Sequence, residues 1–222
     1  CDKAGITFFT SPYDLSIVDE VDKFVPAYKI GSGDITWIKI IEYIASKNKP
    51  YIIATGASNL EEVILAVRSG LEINPNMSLM QCNTNYTGSD ENFKFINLNV
   101  LKTYSKLFPD VVLGLSDHTA GHSTTLGAIA LGAKIIEKHF TLNRKMKGPD
   151  HKASLEPVEF KKMVDAIRNI ESALGKNIKK VTKSERKNLN VARKSIVAIK
   201  EINKGDVLSE NNIGVKRPGG GL

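Results

Sequence analysis

What this sequence lacks narrows the field before any motif is read. No apolar run approaches the roughly 20 residues that span a bilayer, and the opening residues do not read as a secretory signal. Cysteine is scarce: Cys1 and Cys82 are too few for a disulfide framework or a thiolate zinc site, so a reduced, cytoplasmic setting is expected. The chain also lacks an initiating methionine. Cys1 to Gly5 reads as the tail of a helix running into a strand, and an upstream portion is expected. Aromatic residues are few, and none falls between positions 176 and 200, where nine Lys or Arg stand against one acid. That window carries a net +8 against +7 for the whole chain, so the basicity is local. A single-strand binder interleaves its basic residues with stacking aromatics. The expectation is therefore a solvated linker, with no nucleic-acid and no membrane partner.

What is present is a repeat of β-prone apolar runs and helical stripes. The runs are Ile6–Phe9, Ala27–Ile30, Tyr51–Ala54, Met77–Cys82, Val111–Leu115 and Lys134–Phe140. Between them, Leu15, Val18, Val21 and Phe24 fall every third residue, and Thr36–Ser46 carries Trp37, Ile40, Ile41 and Ile44 as a stripe. Ser58 and Glu61 have capping-box spacing ahead of a helix over Leu60–Ser69. Ser123–Ala133, Leu98–Phe108 and Pro157–Leu174 complete the helices.

Strands that are continuously apolar are parallel and covered on both faces. A doubly wound sheet announces itself by a glycine-rich turn, but Gly31-Ser32-Gly33-Asp34-Ile35-Thr36 lacks a third small residue at the required place. Polar residues instead follow nearly every strand, as in a (β/α)8 TIM-type barrel, of which about six of the eight units are expected here. The organisation expected is a partial barrel over 1–175, a basic linker over 176–190 and the start of a small β-rich domain over 191–222.

Two runs end abruptly in chemistry. Val111–Leu115 delivers Ser116-Asp117-His118-Thr119, and Lys134-Ile135-Ile136 delivers Glu137-Lys138-His139-Phe140-Thr141. Joined by a crossover helix, parallel strands point their ends the same way, so His118 and His139 are expected at one mouth as a metal pair, with His122 and His151 carrying less weight. Two imidazoles suit a divalent transition ion such as manganese, with free positions to polarise a carbonyl. Lys29 supplies charge for a phosphate, and Thr10, Ser32 and Ser116 supply hydroxyl donors. Asp34, Asp117, Glu137 and Asp150 are candidates for orienting ligands or moving protons.

The strings Lys29-Ile30-Gly31-Ser32-Gly33-Asp34, Ser116-Asp117-His118-Thr119, Glu137-Lys138-His139-Phe140-Thr141, Gly148-Pro149-Asp150-His151-Lys152-Ala153-Ser154-Leu155 and Lys216-Arg217-Pro218-Gly219 together resemble the bacterial sialic acid synthases, including the legionaminic and pseudaminic acid enzymes. The resemblance implies condensation of phosphoenolpyruvate with an open-chain N-acetylhexosamine such as N-acetylmannosamine, releasing phosphate and giving a nine-carbon 2-keto sugar acid. It also implies that His118 and His139 hold the metal, manganese with magnesium or cobalt as alternatives. Lys29, Thr10, Ser32 and Ser116 match the phosphoenolpyruvate contacts, Tyr86 a site position, Asp34 the proton-handling acid and Asp150 the residue that holds the sugar. The tail resembles the start of an antifreeze-like (SAF) domain, which in a homodimer lends an arginine to the partner's barrel; here that is Arg217. Departures are Ala54 and Thr84, where some members carry serine and asparagine, and Asp34, where glutamate is common. Another phosphoenolpyruvate aldol-type barrel, or a non-catalytic binding fragment, is the alternative.

Overall fold

A computed structural model describes residues 1–87 and 89–219; residues 220–222, the end of the expected antifreeze-like stretch, lie outside the described residues. The chain divides into two compact units, 1–175 and 176–222.

The first unit alternates strand and helix: α1 (Leu15–Asp22), β1 (Tyr28–Ile30), α2 (Ile38–Ser46), β2 (Tyr51–Ala54), α3 (Leu60–Leu71), β3 (Met77–Cys82), α4 (Val100–Leu107), β4 (Val112–Asp117), α5 (Ser123–Ala130), β5 (Ile135–Lys138) and α6 (Pro157–Leu174). The five strands are parallel and lie in sequence order, each beside its predecessor. An order that never reverses has no switch point, which separates this sheet from the doubly wound class. The sheet also curls. Laid flat, β1 and β5 would be about 19 Å apart at ordinary strand spacing, yet Lys29 on β1 and Glu137 on β5 meet at 3.0 Å. The architecture is a partial (β/α)8 barrel.

The core follows from the pattern. Tyr51, Ile53 and Leu79 on the strands and Ile40, Ile41 and Ile44 on α2 are all fully buried in one cluster. Each such side chain contributes about 1.5–3 kcal/mol relative to exposure. Gly114 on β4 is required by close approach: a Cβ there would lie 2.7 Å from the Ile135 carbonyl oxygen of its register partner.

Several expectations are corrected. Ile6–Phe9 forms no strand: only Thr10 bridges to Tyr28. Ile6 and Phe8 remain 60% and 48% exposed, because among the described residues no strand pairs with that segment's outer edge. The capping box of α3 is Asn59 with Glu62 rather than Ser58 with Glu61. The Ser58 hydroxyl is already committed to the Thr55 carbonyl at 2.8 Å, which moves the helix start on by one residue. Phe24 lies beyond the end of α1 and is exposed. β4 runs on through Ser116 and Asp117, so these polar residues are strand residues rather than loop residues.

The second unit holds α7 (Arg186–Ala192) and an antiparallel pair, β6 (Ser195–Ala198) with β7 (Ile213–Lys216). α7 begins inside the stretch expected to be linker, because the Glu185 carboxylate accepts from the Thr182 N–H and hydroxyl, both at 2.8 Å, and closes the turn that starts it. No helix among the described residues is long and apolar enough to cross a membrane.

Candidate functional site

Side chains alternate faces along a strand, so Ser116 and His118 leave β4 on one side and Glu137 and His139 leave β5 on that same side. They open into a cavity of about 580 Å³ at the carboxyl ends of the strands. Of the residues singled out from sequence, Thr10, Lys29, Ser32, Tyr86, Ser116, His118, His139 and Asp150 all line it. Asp34 does not line it. It sits half-buried in the 3-10 turn after β1, and burial raises its carboxyl above the usual range. Arg217 is an exposed residue of the second unit, just after β7.

One wall of the mouth is built for an anion. The Lys29 ammonium lies 3.0 and 3.1 Å from the two Glu137 oxygens, and the Ser116 hydroxyl donates to Glu137 Oε1 at 2.7 Å. Ser32 Oγ accepts from the Gly56 N–H at 3.0 Å, an approach that a side chain at position 56 would block. Ser11 also lines the cavity; its Oγ is buried and has no hydrogen-bond partner among the described residues. Sequence reading passed over Ser11. It left Glu137 as one acid among four, although pairing Ser116 with Glu137 across β4 and β5 would have flagged it.

The other wall is aromatic. The His118 and His139 ring centroids are 5.0 Å apart, and the Tyr86 ring lies 4.3 and 5.6 Å from them. His118 Nδ1 is 2.7 Å from the Asn83 carbonyl oxygen. A carbonyl only accepts, so Nδ1 donates, which leaves Nε2 as the nitrogen that could ligate, as in metal-ligating histidines whose second nitrogen is anchored. Burial, then the neighbouring His118, lowers the His139 pKa and favours the neutral ring, with Asp150 Oδ2 at 3.8 Å from its Nδ1. Two imidazoles at this spacing fit a divalent ion. Among the described residues no cluster of three or more His, Cys, Asp or Glu would enclose one, so coordination positions are left for ligand or water.

A larger cleft of about 830 Å³ lies between the amino end of α3 and α4. Its walls mix hydroxyls and amides with apolar side chains such as Leu60, Phe95 and Val100, and Glu62, the one charged residue in its lining, is held in the α3 capping box. It has neither the cation nor the imidazoles of the mouth, so size alone does not select it.

A family model described as the NeuB family matches residues 1–179. The N,N'-diacetyllegionaminic acid synthase of Campylobacter jejuni is 43% identical, over 99% of this chain and 66% of its own length. The N-acetylneuraminate-9-phosphate synthase of Homo sapiens is 35% identical, over 97% of this chain and 59% of its own. A crystal structure of an N-acetylneuraminic acid (sialic acid) synthetase from Leptospira borgpetersenii in complex with citrate superposes with a TM-score of 0.77 at 29% identity, covering 85% of this chain and 65% of that one. The chain thus spans less than two thirds of the length of the relatives it matches.

Proposed function

The chain belongs to the NeuB family, and from that premise we propose that its mouth is the site of a sugar acid synthase that condenses phosphoenolpyruvate with an N-acetylhexosamine such as N-acetylmannosamine. The observation that carries the reading is one cavity with a lysine- and hydroxyl-lined wall, Lys29 with Thr10, Ser32 and Ser116, facing a pair of imidazoles.

The residues divide the work by chemistry. Lys29, Thr10, Ser32 and Ser116 hold the phosphate and carboxylate of phosphoenolpyruvate by charge-assisted hydrogen bonds. His118 and His139 hold a divalent ion, with manganese the first candidate; when bound, it supplies Lewis-acid polarisation of the sugar aldehyde. Asp150, beside His139, accepts from sugar hydroxyls, and Tyr86 packs over the imidazoles and excludes water from that side. The enol carbon adds to the aldehyde carbon, a water adds at the former enol C2, and the C–O bond to phosphate breaks. Asp34, whose carboxyl burial raises, sits in the turn behind the lining, so a proton role for it in those last steps would run through water in the mouth. Arg217 in a homodimer, and a cytoplasmic setting, belong to the same reading.

The test is release of inorganic phosphate from phosphoenolpyruvate. Release should require both manganese and the sugar, and fall by at least about 100-fold, a loss typical of removing a principal catalytic interaction, with His118→Ala. Release that is indifferent to the sugar, or that survives loss of both histidines, would overturn the reading.

A further inference from the structure

The opposite face of the same two strand ends carries a pair of charges that the proposed chemistry leaves unused. Asp117 ends β4, Lys138 ends β5, and the two are register partners. Lys138 Nζ meets Asp117 Oδ2 at 2.8 Å with the two side chains 1% and 0% exposed. The carboxylate is surrounded. Its Oδ1 accepts from the Thr119 N–H at 2.9 Å and the Thr119 hydroxyl at 2.8 Å. Its Oδ2 accepts from the Thr124 and Thr125 hydroxyls of α5 at 2.7 and 3.2 Å. Lys138 Nζ donates also to the Thr119 carbonyl at 2.5 Å.

Taking two charges out of water is unfavourable, and a well-packed apolar pair would usually serve stability as well or better. What an apolar pair does not supply is direction. Here the hydrogen bonds tie the end of β4, the end of β5 and the first turn of α5 to one carboxylate, at the point where each strand leaves the sheet. The next residue on each strand is an imidazole of the mouth, His118 or His139. Two ligands for one ion must be held to within about 0.5 Å of their productive geometry; among the described residues His118 has one hydrogen bond, and His139 the 3.8 Å approach of Asp150, with the Tyr86 ring packed against both but bonding neither.

We propose that Asp117 and Lys138 are positioning residues for the metal ligands His118 and His139, a buried clamp that fixes the separation of the two rings. The inference rests on the reading that those histidines hold a divalent ion. It is tested by manganese binding, followed by electron paramagnetic resonance, and by the visible absorption bands of bound cobalt, which report ligand geometry. The variant Asp117→Asn/Lys138→Met, in the full chain, removes both charges, keeps an acceptor for Thr119 and leaves no orphan ion. It is expected to fold and melt close to wild type, yet to bind manganese about 10–100-fold more weakly, the usual effect of losing a residue that orients a metal ligand, with altered cobalt bands. If the double variant does not fold, Thr124→Val takes one donor from the carboxylate and leaves the ion pair; a smaller loss of affinity in the same direction is expected. A folded variant with wild-type affinity and spectrum overturns the inference. A wild-type chain that binds no manganese, or binds it equally with both histidines changed to alanine, removes the metal reading and this inference with it. Binding that needs the histidines but ignores the clamp overturns the inference alone.

Discussion

Glu137 and Lys138 are neighbours on β5, and each pairs with an opposite charge on another strand, but on opposite faces of the sheet. Glu137 reaches across the mouth to Lys29, with side chains 38% and 12% exposed. Lys138 turns toward α5 and meets Asp117 where water does not reach. The chemistry is the same and the surroundings differ. On the mouth side water and ligands compete at the part-exposed Glu137, so the bridge is exchangeable; on the helix side fixed Thr119, Thr124 and Thr125 groups, not water, solvate the charges, so the bridge is permanent. One strand thereby supplies both an adjustable surface and a fixed frame.

The largest effect should come from breaking the fixed side. Lys138→Met leaves the Asp117 carboxylate buried without its counter-ion and is expected to lower stability by about 3–5 kcal/mol, read from urea unfolding. Lys29→Met, the matching change at the mouth, should move the same measurement by less than about 1 kcal/mol. Equal losses would erase the distinction between the two faces.

Acid should separate them next. Burial is the largest influence on Asp117 and pushes its pKa up, but the Lys138 charge and the hydrogen bonds outweigh it and the net value is lowered. A lowered folded value means that the stabilisation is complete above the ordinary aspartate value of about 3.9 and is lost as pH falls through the lowered one. Asp34 has the opposite sign: burial raises it, so folding is helped below the ordinary value and that help is lost as pH rises through the raised one. Comparing urea stability at pH 7 and below pH about 4, Asp117→Asn/Lys138→Met should flatten the acid loss, whereas Asp34→Asn should steepen it.

A smaller effect probes the seam that both faces share. At Gly114 an added methyl would press on the Ile135 carbonyl oxygen at 2.7 Å and on Met80 Cγ at 2.9 Å. The first of these is backbone and cannot rotate away. Gly114→Ala is expected to cost about 1–3 kcal/mol and, by easing β4 from β5, to weaken manganese binding as well. Lost stability with unchanged binding would place the hold on the histidines beyond the strands themselves.

Much of the frame was legible in sequence because it follows from burial. The apolar runs at Tyr51–Ala54 and Met77–Cys82 are the observed strands, and Pro157–Leu174 is the observed α6. The two histidines could be placed at one mouth because each follows an equivalent strand, and direction is inherited along parallel strands. What was not legible depends on partners distant in sequence. Lys29 and Glu137 are 108 residues apart and meet only because the sheet curls. From sequence Asp117 is one candidate acid among four and Lys138 has no role, until the pairing of β4 with β5 sets them face to face. The shifted capping box and the bare Phe24 failed for a local reason: a hydroxyl already engaged, and a helix that ends before its periodicity does.

The smallest stability change is expected at Glu137, and it is the one that distinguishes an exchangeable bridge from a second clamp. In Glu137→Gln an amide oxygen in the position of Oε1 still accepts from Ser116 and from Lys29, whereas the NH2 in place of Oε2 is a donor and loses the second Lys29 contact. The part-exposed position 137 and the retained hydrogen bonds to its Oε1 hold the stability change within about 1 kcal/mol. The charge, however, is gone. A carboxylate on Lys29 both competes for the ammonium and repels an incoming anion, so calorimetric titration with inorganic phosphate should show tighter binding in Glu137→Gln and weaker binding in Lys29→Met. If the glutamine variant binds phosphate less well, the carboxylate is organising the ammonium rather than contesting it, and the mouth would then be held by the same kind of fixed pair as the face behind it.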